Sequence, residues 1–498
     1  MVFLRDNFGK QGNTANKGMF DLKITVFLVF LIFLFATPAL AALWPGSGTS
    51  GSPYLIADAN DMQAIGADDN YWDAHFKLTA DIDLSSYTGT SFNIIGSGWD
   101  EPFTGVFDGN GYKIYNFSYG PIASDDYVGI FGMVGKVNGA SGEIKNLGLI
   151  NPSIDVGAFM TGALAGRLVL GTITDCYVEG GSVSGDGFVG GLVGSSGFIN
   201  GDIINCYTKT SVSGDGPVGG LVGMNDGTVY DCYAAGNIVG NSDTGGLVGD
   251  NKEDALIAYS YASGIIQGTD DAGGLAGRNW GGTILNCYAT GNVSGDNDTG
   301  GLVGKNSGAN GFTGTIINCY ATGDVTGYYN AGGLIGSHAG FIEAAEIINC
   351  YCVGGVSGDT NVGGLIGSNF AGSVVDSFWD KTTSGQSTSA GGSGAMGRTT
   401  ALMKTMTTFT DYGWDFVGET INSTENHWRM CVDGVYYPKL SWEFPMMDFL
   451  CPDGVDFIDY SYFADCWDVN DPNCDFDESG YIDANDLILF GDDWLRKY

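Results

Sequence analysis

One pattern is restated along most of this chain, and it constrains the fold more than any other feature of the sequence. Residues 286–306 read NCYATGNVSGDNDTGGLVGKN, residues 205–226 read NCYTKTSVSGDGPVGGLVGMND, and residues 349–369 read NCYCVGGVSGDTNVGGLIGSN. Aligning the Gly-Gly-Leu-Val-Gly copies puts their first residues at Thr161, Gly190, Gly219, Gly245, Gly273, Gly300, Gly332 and Gly363, at intervals of 29, 29, 26, 28, 27, 32 and 31. The Cys-Tyr copies keep step at Cys176, Cys206, Cys232, Cys287, Cys319 and Cys350, with Ser260 and Ser377 in the two vacant places. A period of 26–32 residues, rich in β-branched residues and broken by Gly and Asp, is too short for a propeller blade and lacks the helical pattern of ankyrin or TPR units. It predicts an all-β chain, a parallel β-helix solenoid with one repeat per coil. Each coil would have about three short strands and three turns, stacked about 4.8 Å above the last.

The columns of the repeat assign directions to side chains. Ile173, Ile203, Val229, Ile284, Ile316 and Ile347 precede the Cys-Tyr pairs by a fixed step and are read as inward, as is the small Cys column. Ile to Cys is three residues, which breaks the strand period of two. The intervening Asp175, Asn205, Asp231, Asn286, Asn318 and Asn349 therefore mark a bend, with side chains able to bond to the next coil. A solenoid also needs lids, because open sheet ends invite aggregation. Short helices at 58–66 and 399–409 are predicted to supply them.

Composition narrows the class. Gly is 83 of 498 residues without a Gly-X-Y period, which excludes collagen, and 44% apolar residues exclude a disordered chain. The formal charge of −37, from 20 Lys+Arg against 57 Asp+Glu, argues against nucleic acid as a partner and favours cation binding. The apolar run Ile24 to Phe35 follows Lys23 and precedes Ala39-Leu40-Ala41, the layout of a signal peptide over residues 1–41. Met19 stands as an alternative start. An uncleaved anchor is the alternative to cleavage, although the core is short for a bilayer span. The expected mature protein is exported and has no membrane span.

The Gly-Gly-Leu-Val-Gly copies resemble the GLUG motif of secreted bacterial repeat proteins. The entry segment PYLIADANDMQAI, FKLTADIDLS and FTGVFDGNGYKI, and the exit segment SFWDKTTSGQS, GWDF and YYPKLSW, resemble the flanks of such β-helices. Together they cover residues 43–443. The resemblance implies an exported or surface protein and carries no catalysis with it.

Residues 448–498 change character. The stretch DFDESGYIDAND at 475–486 has oxygen side chains at loop positions 1, 3, 5, 9 and 12 and Gly480 at position 6, as a Ca²⁺ loop requires. Asp475, Asp477, Ser479, Asp483 and Asp486 would supply side chains, and Tyr481 its carbonyl. The run from Leu487 to Leu495 has helical spacing of apolar residues. An echo upstream, DGVDFIDYSYFADCW, aligns a degenerate first loop in which Asp448, Asp456 and Asp459 remain as ligands. Asp rather than Glu at position 12, and two loop–helix units in tandem, resemble a dockerin. That resemblance implies Ca²⁺ and a cohesin-like protein partner, often within polysaccharide-degrading assemblies.

Other chemistry is sparse. The eleven cysteines of an exported chain suggest disulfides. The stacked column is expected to hold mostly thiols, because bridging in-register parallel strands strains the bond. Cys466 and Cys474 are expected partners, with Cys451 competing for either. The Tyr column (Tyr177, Tyr207, Tyr233, Tyr261, Tyr288, Tyr320, Tyr351, then Phe378) should face outward, where it could stack sugar rings or stabilise the coils. Acidic turns at Asp186, Asp215, Asp243, Asp270, Asp271, Asp296, Asp298 and Asp359 could hold ions or simply form turns. His75, His338 and His427 show no metalloprotease spacing. Asp81, Asp83, Asp108 and Asp380 are the carboxylates a glycosidase could use, if two stood at the required separation. The sequence thus predicts a secreted, non-catalytic adhesion or binding protein, tethered through a Ca²⁺-dependent dockerin-like module. A β-helix polysaccharide hydrolase or lyase, and a structural spacer, are the alternatives.

Overall fold

The computed structural model describes residues 43–493 apart from 123–125, 138, 341–343, 420–421, 424, 445–447, 449–450, 452–456, 470–473, 475–480 and 483. The expected signal segment, 1–41, lies outside the described residues. The chain winds into a parallel β-solenoid, as the repeat predicts. Its strands build two long parallel sheets of 19 and 23 strands, and every coil contributes to both. In one coil, Val303–Ser307 and Gly314–Ile317 lie in the first sheet, and Tyr320–Ala321 and Val325–Gly332 in the second. That coil has four strand segments against the three expected, the coil from Val222 to Gly245 has three, and others are divided into two or five. The chain changes sheet at only two corners, the Asx-Cys step and the Gly-Gly-Leu step, and kinks within each sheet between them.

Register also corrects the first repeat. Gly162, not Thr161, pairs with Gly190, and Ala165 pairs with Val193. The Thr-Gly-Ala-Leu-Ala copy is offset by one residue from the sequence alignment. From there Gly190, Gly219, Gly245, Gly273, Gly300, Gly332 and Gly363 stand directly above one another.

The core is a set of ladders. Phe76, Phe107, Ile144, Ile173, Ile203, Val229, Ile257, Ile284, Ile316 and Ile347 are in register through successive coils, each at most 1% exposed. Each such side chain stabilises the fold by about 1.5–3 kcal/mol relative to exposure. The bend after this ladder is real. Asn146, Asp175, Asn205, Asp231, Tyr259, Asn286, Asn318, Asn349 and Asp376 all take positive φ, between 43° and 53°. Asn and Asp tolerate that region better than other non-glycine residues. As expected, some reach the neighbouring coil, with Asn205 Nδ2 donating to Asp175 Oδ1 at 2.5 Å.

A second, polar ladder runs through the interior. Ser196 Oγ donates to Asn225 Oδ1, Asn225 Nδ2 to Asn251 Oδ1, Asn251 Nδ2 to Asn279 Oδ1, and Asn279 Nδ2 to Asn306 Oδ1, each at 2.8 Å. His338 closes the row, its Nδ1 3.3 Å from Asn306 Nδ2 and its Nε2 3.1 Å from the Ser373 carbonyl. Since the amide donates and the carbonyl accepts, the neutral imidazole must carry its proton on Nε2. Every member is at most 1% exposed.

The N-terminal lid is the expected helix, Ala59–Ala67, capped by Asp58 and burying Met62 and Ile65 against the first coils. The other end differs from expectation. The 399–409 segment forms two short helices, Thr400–Met403 and Thr407–Thr410, which place Met403 and Phe409 on the outer face beside Tyr320, Tyr351 and Phe378. The last coil is covered instead by residues 388–398. Ser389 Oγ accepts from the Leu365 and Ile366 amides, and Ala395–Arg398 pairs with Ser377–Asp380.

Candidate functional site

Two regions carry chemistry that the solenoid itself does not need. The first is the C-terminal pair of helices, Phe457–Val469 and Ala484–Asp493. They share a small core of Phe463, Cys466, Cys474, Ile482 and Phe490, with the Phe463 and Phe490 rings 5.1 Å apart. Cys466 and Cys474 are disulfide-bonded, as expected. Cys451 pairs with Cys431, a partner the sequence reading missed because Cys431 lies outside the repeat and outside the C-terminal stretch.

Of the expected Ca²⁺ ligands, Asp459 and Asp486 sit in the first turns of the two helices and are buried, as is Asp448. Tyr481 is 73% exposed. Asp475, Asp477, Ser479, Asp483 and Asp456 lie outside the described residues. Around the shared core the helices leave apolar side chains in solvent, including Tyr460, Trp467, Leu487 and Ile488, the last 62% exposed.

The second region is the tyrosine column. Tyr177, Tyr207, Tyr233, Tyr261, Tyr288, Tyr320 and Tyr351 point out of the solenoid core and stack face to face, with centroids 4.7–5.1 Å apart and planes within 9°. At the lower end Gly148 lies beneath Tyr177, where a Cβ would come within 2.5 Å of the ring. Each ring face is thus occupied by a neighbour, leaving only edges and hydroxyls outward. The open column is therefore a stabilising stack and offers no face to a sugar ring.

Its upper end is not open at all. Residues 403–444 wrap over it, packing Phe409, Trp414, Phe416, Trp428 and Leu440 onto Tyr320, Tyr351 and Phe378. Trp442 donates to the Asn286 carbonyl at 3.0 Å. Where the column passes under this wrap a cleft of about 470 Å³ remains, walled by Tyr288, Tyr320, Tyr436, Tyr437 and Phe444. Glu443 lies at its base and accepts from Tyr320 Oη at 2.9 Å, the Leu440 amide at 2.8 Å and Lys439 Nζ at 3.2 Å. Burial raises the Glu443 carboxyl above its ordinary range, against the pull of Lys439 and these hydrogen bonds. Burial likewise pushes the Tyr261 phenol up to about 12.

The remaining candidates are engaged structurally. Asp81 accepts from the Lys113 amide at 2.9 Å, and Asp83 from Asn116 Nδ2 at 2.9 Å. Asp108 binds Asn146 Nδ2 at 3.0 Å and pairs with Lys77 at 3.5 Å. Asp380, at the far end of the solenoid, caps the Lys381–Ser384 helix and accepts from Tyr437 Oη at 2.8 Å.

The acidic turns are tied to asparagines of the next coil: Asn241 to Asp215 at 2.7 Å, Asn297 to Asp270 at 2.6 Å, Asn330 to Asp298 at 2.6 Å. Asp271, half-buried, is pushed up to about 8 by its partial desolvation and by the neighbouring Asp298. Among the described residues no group of three or more His, Cys, Asp or Glu is placed to hold a metal. The cysteine column is inward and unpaired, as expected, and Cys352, which stands in the neighbouring column in register with Ala321, is a seventh buried thiol.

With this geometry in place, comparison with known proteins shows what the coils are similar to. The family described as "The GLUG motif" matches residues 268–294 and 295–326, two consecutive coils. The chain is thus a parallel β-solenoid, and two of its coils match the GLUG motif. It is 38% identical to halomucin of Haloquadratum walsbyi over 162 residues, which is 32% of this chain and 2% of halomucin. Over 165 residues it is 35% identical to a "Putative Gly-rich membrane protein" of Evansella cellulosilytica, covering 31% of this chain and 18% of that protein. The matches thus span under a fifth of either relative. A crystal structure described as "a putative immunoglobulin A1 protease" from Bacteroides ovatus aligns with 80% of this chain and 94% of its own, at 19% identity and a TM-score of 0.39. Among the described residues no helix is long and apolar enough to cross a membrane.

Proposed function

We propose that this protein is an exported, non-catalytic adhesion or display solenoid. Residues 1–41 are its signal peptide, 43–443 the solenoid with its caps, and 448–498 a dockerin-like anchor. The anchor docks, with Ca²⁺ bound, on a cohesin-like partner in an extracellular or cell-surface assembly that handles polysaccharide. The observation that carries this reading is the apolar surface left by the paired helices. A module that buries Phe463 and Phe490 between its helices yet keeps Tyr460, Trp467, Leu487 and Ile488 at the surface has the exposed patch of a docking face.

The donor set fits a hard cation, since every expected ligand presents oxygen. Asp475, Asp477, Ser479, the Tyr481 carbonyl, Asp483 and Asp486 would hold one ion, and Asp448, Asp456 and Asp459 would contribute to a second. Bound Ca²⁺ supplies positive charge to carboxylates such as Asp459 and Asp486 that are buried at the helix starts. The names of the two relatives, halomucin and a "Putative Gly-rich membrane protein", support a location outside the cytoplasm.

The test is calorimetric titration of the full mature chain with Ca²⁺, followed by capture on an immobilised cohesin with and without chelator. Ca²⁺ binding weakened by Asp486→Ala, with capture lost in chelator, is the expected result. A chain that binds no Ca²⁺ would sink the anchor.

A further inference from the structure

The cleft beneath the C-terminal wrap has a composition that the solenoid's stability does not require. Its walls are tyrosine edges, and one aromatic ring is unused. Tyr436 is 42% exposed and, among the described residues, makes no ring contact, whereas Tyr288, Tyr320 and Tyr351 are locked in the stack and Tyr437 carries the Lys404 ammonium at 5.0 Å. Three hydroxyls on this surface, those of Tyr288, Thr290 and Thr322, make no side-chain hydrogen bond among the described residues. At the base, the Glu443 carboxylate has about four lone-pair sites and meets three protein donors: Tyr320 Oη, the Leu440 amide and Lys439 Nζ.

We propose that this cleft binds a single neutral pyranose unit of a glycan, seated with its C–H face on Tyr436 and its hydroxyls on Glu443, Thr290, Thr322 and Tyr288. A pyranose pairs an apolar C–H face with a rim of hydroxyls, and the cleft offers one free ring face beside four hydrogen-bonding groups. The volume of about 470 Å³ lies within the ~300–1,000 Å³ of small-molecule sites.

Charge selects among ligands. Lys439 already sits 3.2 Å from Glu443, so an incoming ammonium would have to displace the protein's own cation. A uronate would meet the Glu443 carboxylate. A neutral sugar encounters neither penalty, and a charge-assisted hydrogen bond to a buried carboxylate is worth about twice a neutral one. This inference rests on the polysaccharide part of the reading above and is independent of the Ca²⁺ anchor.

The experiment is ligand-observed NMR and calorimetry on the full mature chain. The probes are the methyl glycosides of glucose, galactose and mannose, N-acetylglucosamine, glucuronate and tetramethylammonium, all at millimolar concentration. Binding of a neutral glycoside, weakened about tenfold or more by Tyr436→Ala and unaffected by Tyr207→Phe on the open column, is the expected result. Tyr436 is at the surface, so its replacement leaves the fold intact, and Thr322→Val provides a second variant.

Failure of every neutral glycoside, preference for tetramethylammonium or glucuronate, or binding indifferent to Tyr436→Ala would overturn the site. Co-sedimentation with insoluble polysaccharide separates the two levels. A chain that sediments equally well as Tyr436→Ala loses this site and keeps the adhesion reading. A chain that never sediments and binds no glycoside loses both.

Discussion

Acid should weaken this solenoid through one residue, His338, which stands where the coils on either side of it place asparagine, Asn306 and Asn369. Burial holds its imidazole at about 4, down from 6.5 in the unfolded chain, with the Ser373 carbonyl opposing only in part. The neutral ring accepts from Asn306 at Nδ1 and donates to Ser373 from Nε2. A proton on Nδ1 would set two donors against each other. Above pH 6.5 the residue is neutral in both states and its contribution is complete. As pH falls from 6.5 towards 4, the unfolded chain takes up a proton that the folded chain refuses, and stability drops by about 1.4 kcal/mol per pH unit. The whole loss is about 3 kcal/mol, reached below pH 4.

His338→Asn removes the titration while keeping the row, because the next residue of the column, in register with position 338, is Asn369. Calorimetric or circular-dichroism melts of both proteins at pH 7, 5.5 and 4.5 isolate the effect, since every other titrating group is common to the pair. The wild type should lose about 2–3 kcal/mol more than the variant by pH 4.5. Parallel pH profiles would refute the argument, and with it the neutral imidazole inferred for the row.

Three further outcomes are expected. Asn251→Ala strands the Asn279 carbonyl and removes the acceptor of Asn225 Nδ2, costing about 2–4 kcal/mol. Urea unfolding checks this, and a change below about 0.5 kcal/mol would mean the ladder is not needed. Trp414→Ala removes a fully buried ring between Phe409 and Trp428 and should cost about 3–5 kcal/mol. Limited proteolysis should then cut within 403–444 before any coil, and cleavage beginning in the coils would contradict the wrap. Ellman titration should find no reactive thiol in the folded protein and seven in denaturant, because the seven unpaired cysteines are buried. Burial also pushes thiols such as Cys206 and Cys319 well above their ordinary range. Rapid native reactivity would place the column elsewhere.

The sequence by itself determined the coil. Period, β-branched columns and turn residues are local signals, repeated often enough that register follows from alignment, and the Asx bend could be read from a three-residue step that no strand can make. It also identified the inward cysteines and the Cys466–Cys474 pair. The buried asparagine row was present in the letters, two residues after the last glycine of each Gly-Gly-Leu-Val-Gly copy. It was overlooked because a polar residue is ordinarily assigned to the surface, and only stacked coils supply every amide with a partner.

Tertiary structure alone decided the rest. Whether the tyrosines offer faces or edges depends on the 4.7–5.1 Å stacking of residues some thirty positions apart. The Thr161 misalignment, by contrast, was avoidable in the sequence, since Gly162-Ala163-Leu164-Ala165-Gly166 matches the motif at three positions, and strand pairing confirms that register. The 399–409 segment read as an end lid because its apolar content says that it must cover something, but not what. Which surface it covers was settled by Phe378, Tyr351 and Tyr320, whose exposed edges needed burial. The cleft at Tyr436 and Glu443 exists only because that wrap, far along the chain from Tyr288, closes over the column. Separation in sequence hides such a site, because its chemistry is assembled by contact rather than by spacing.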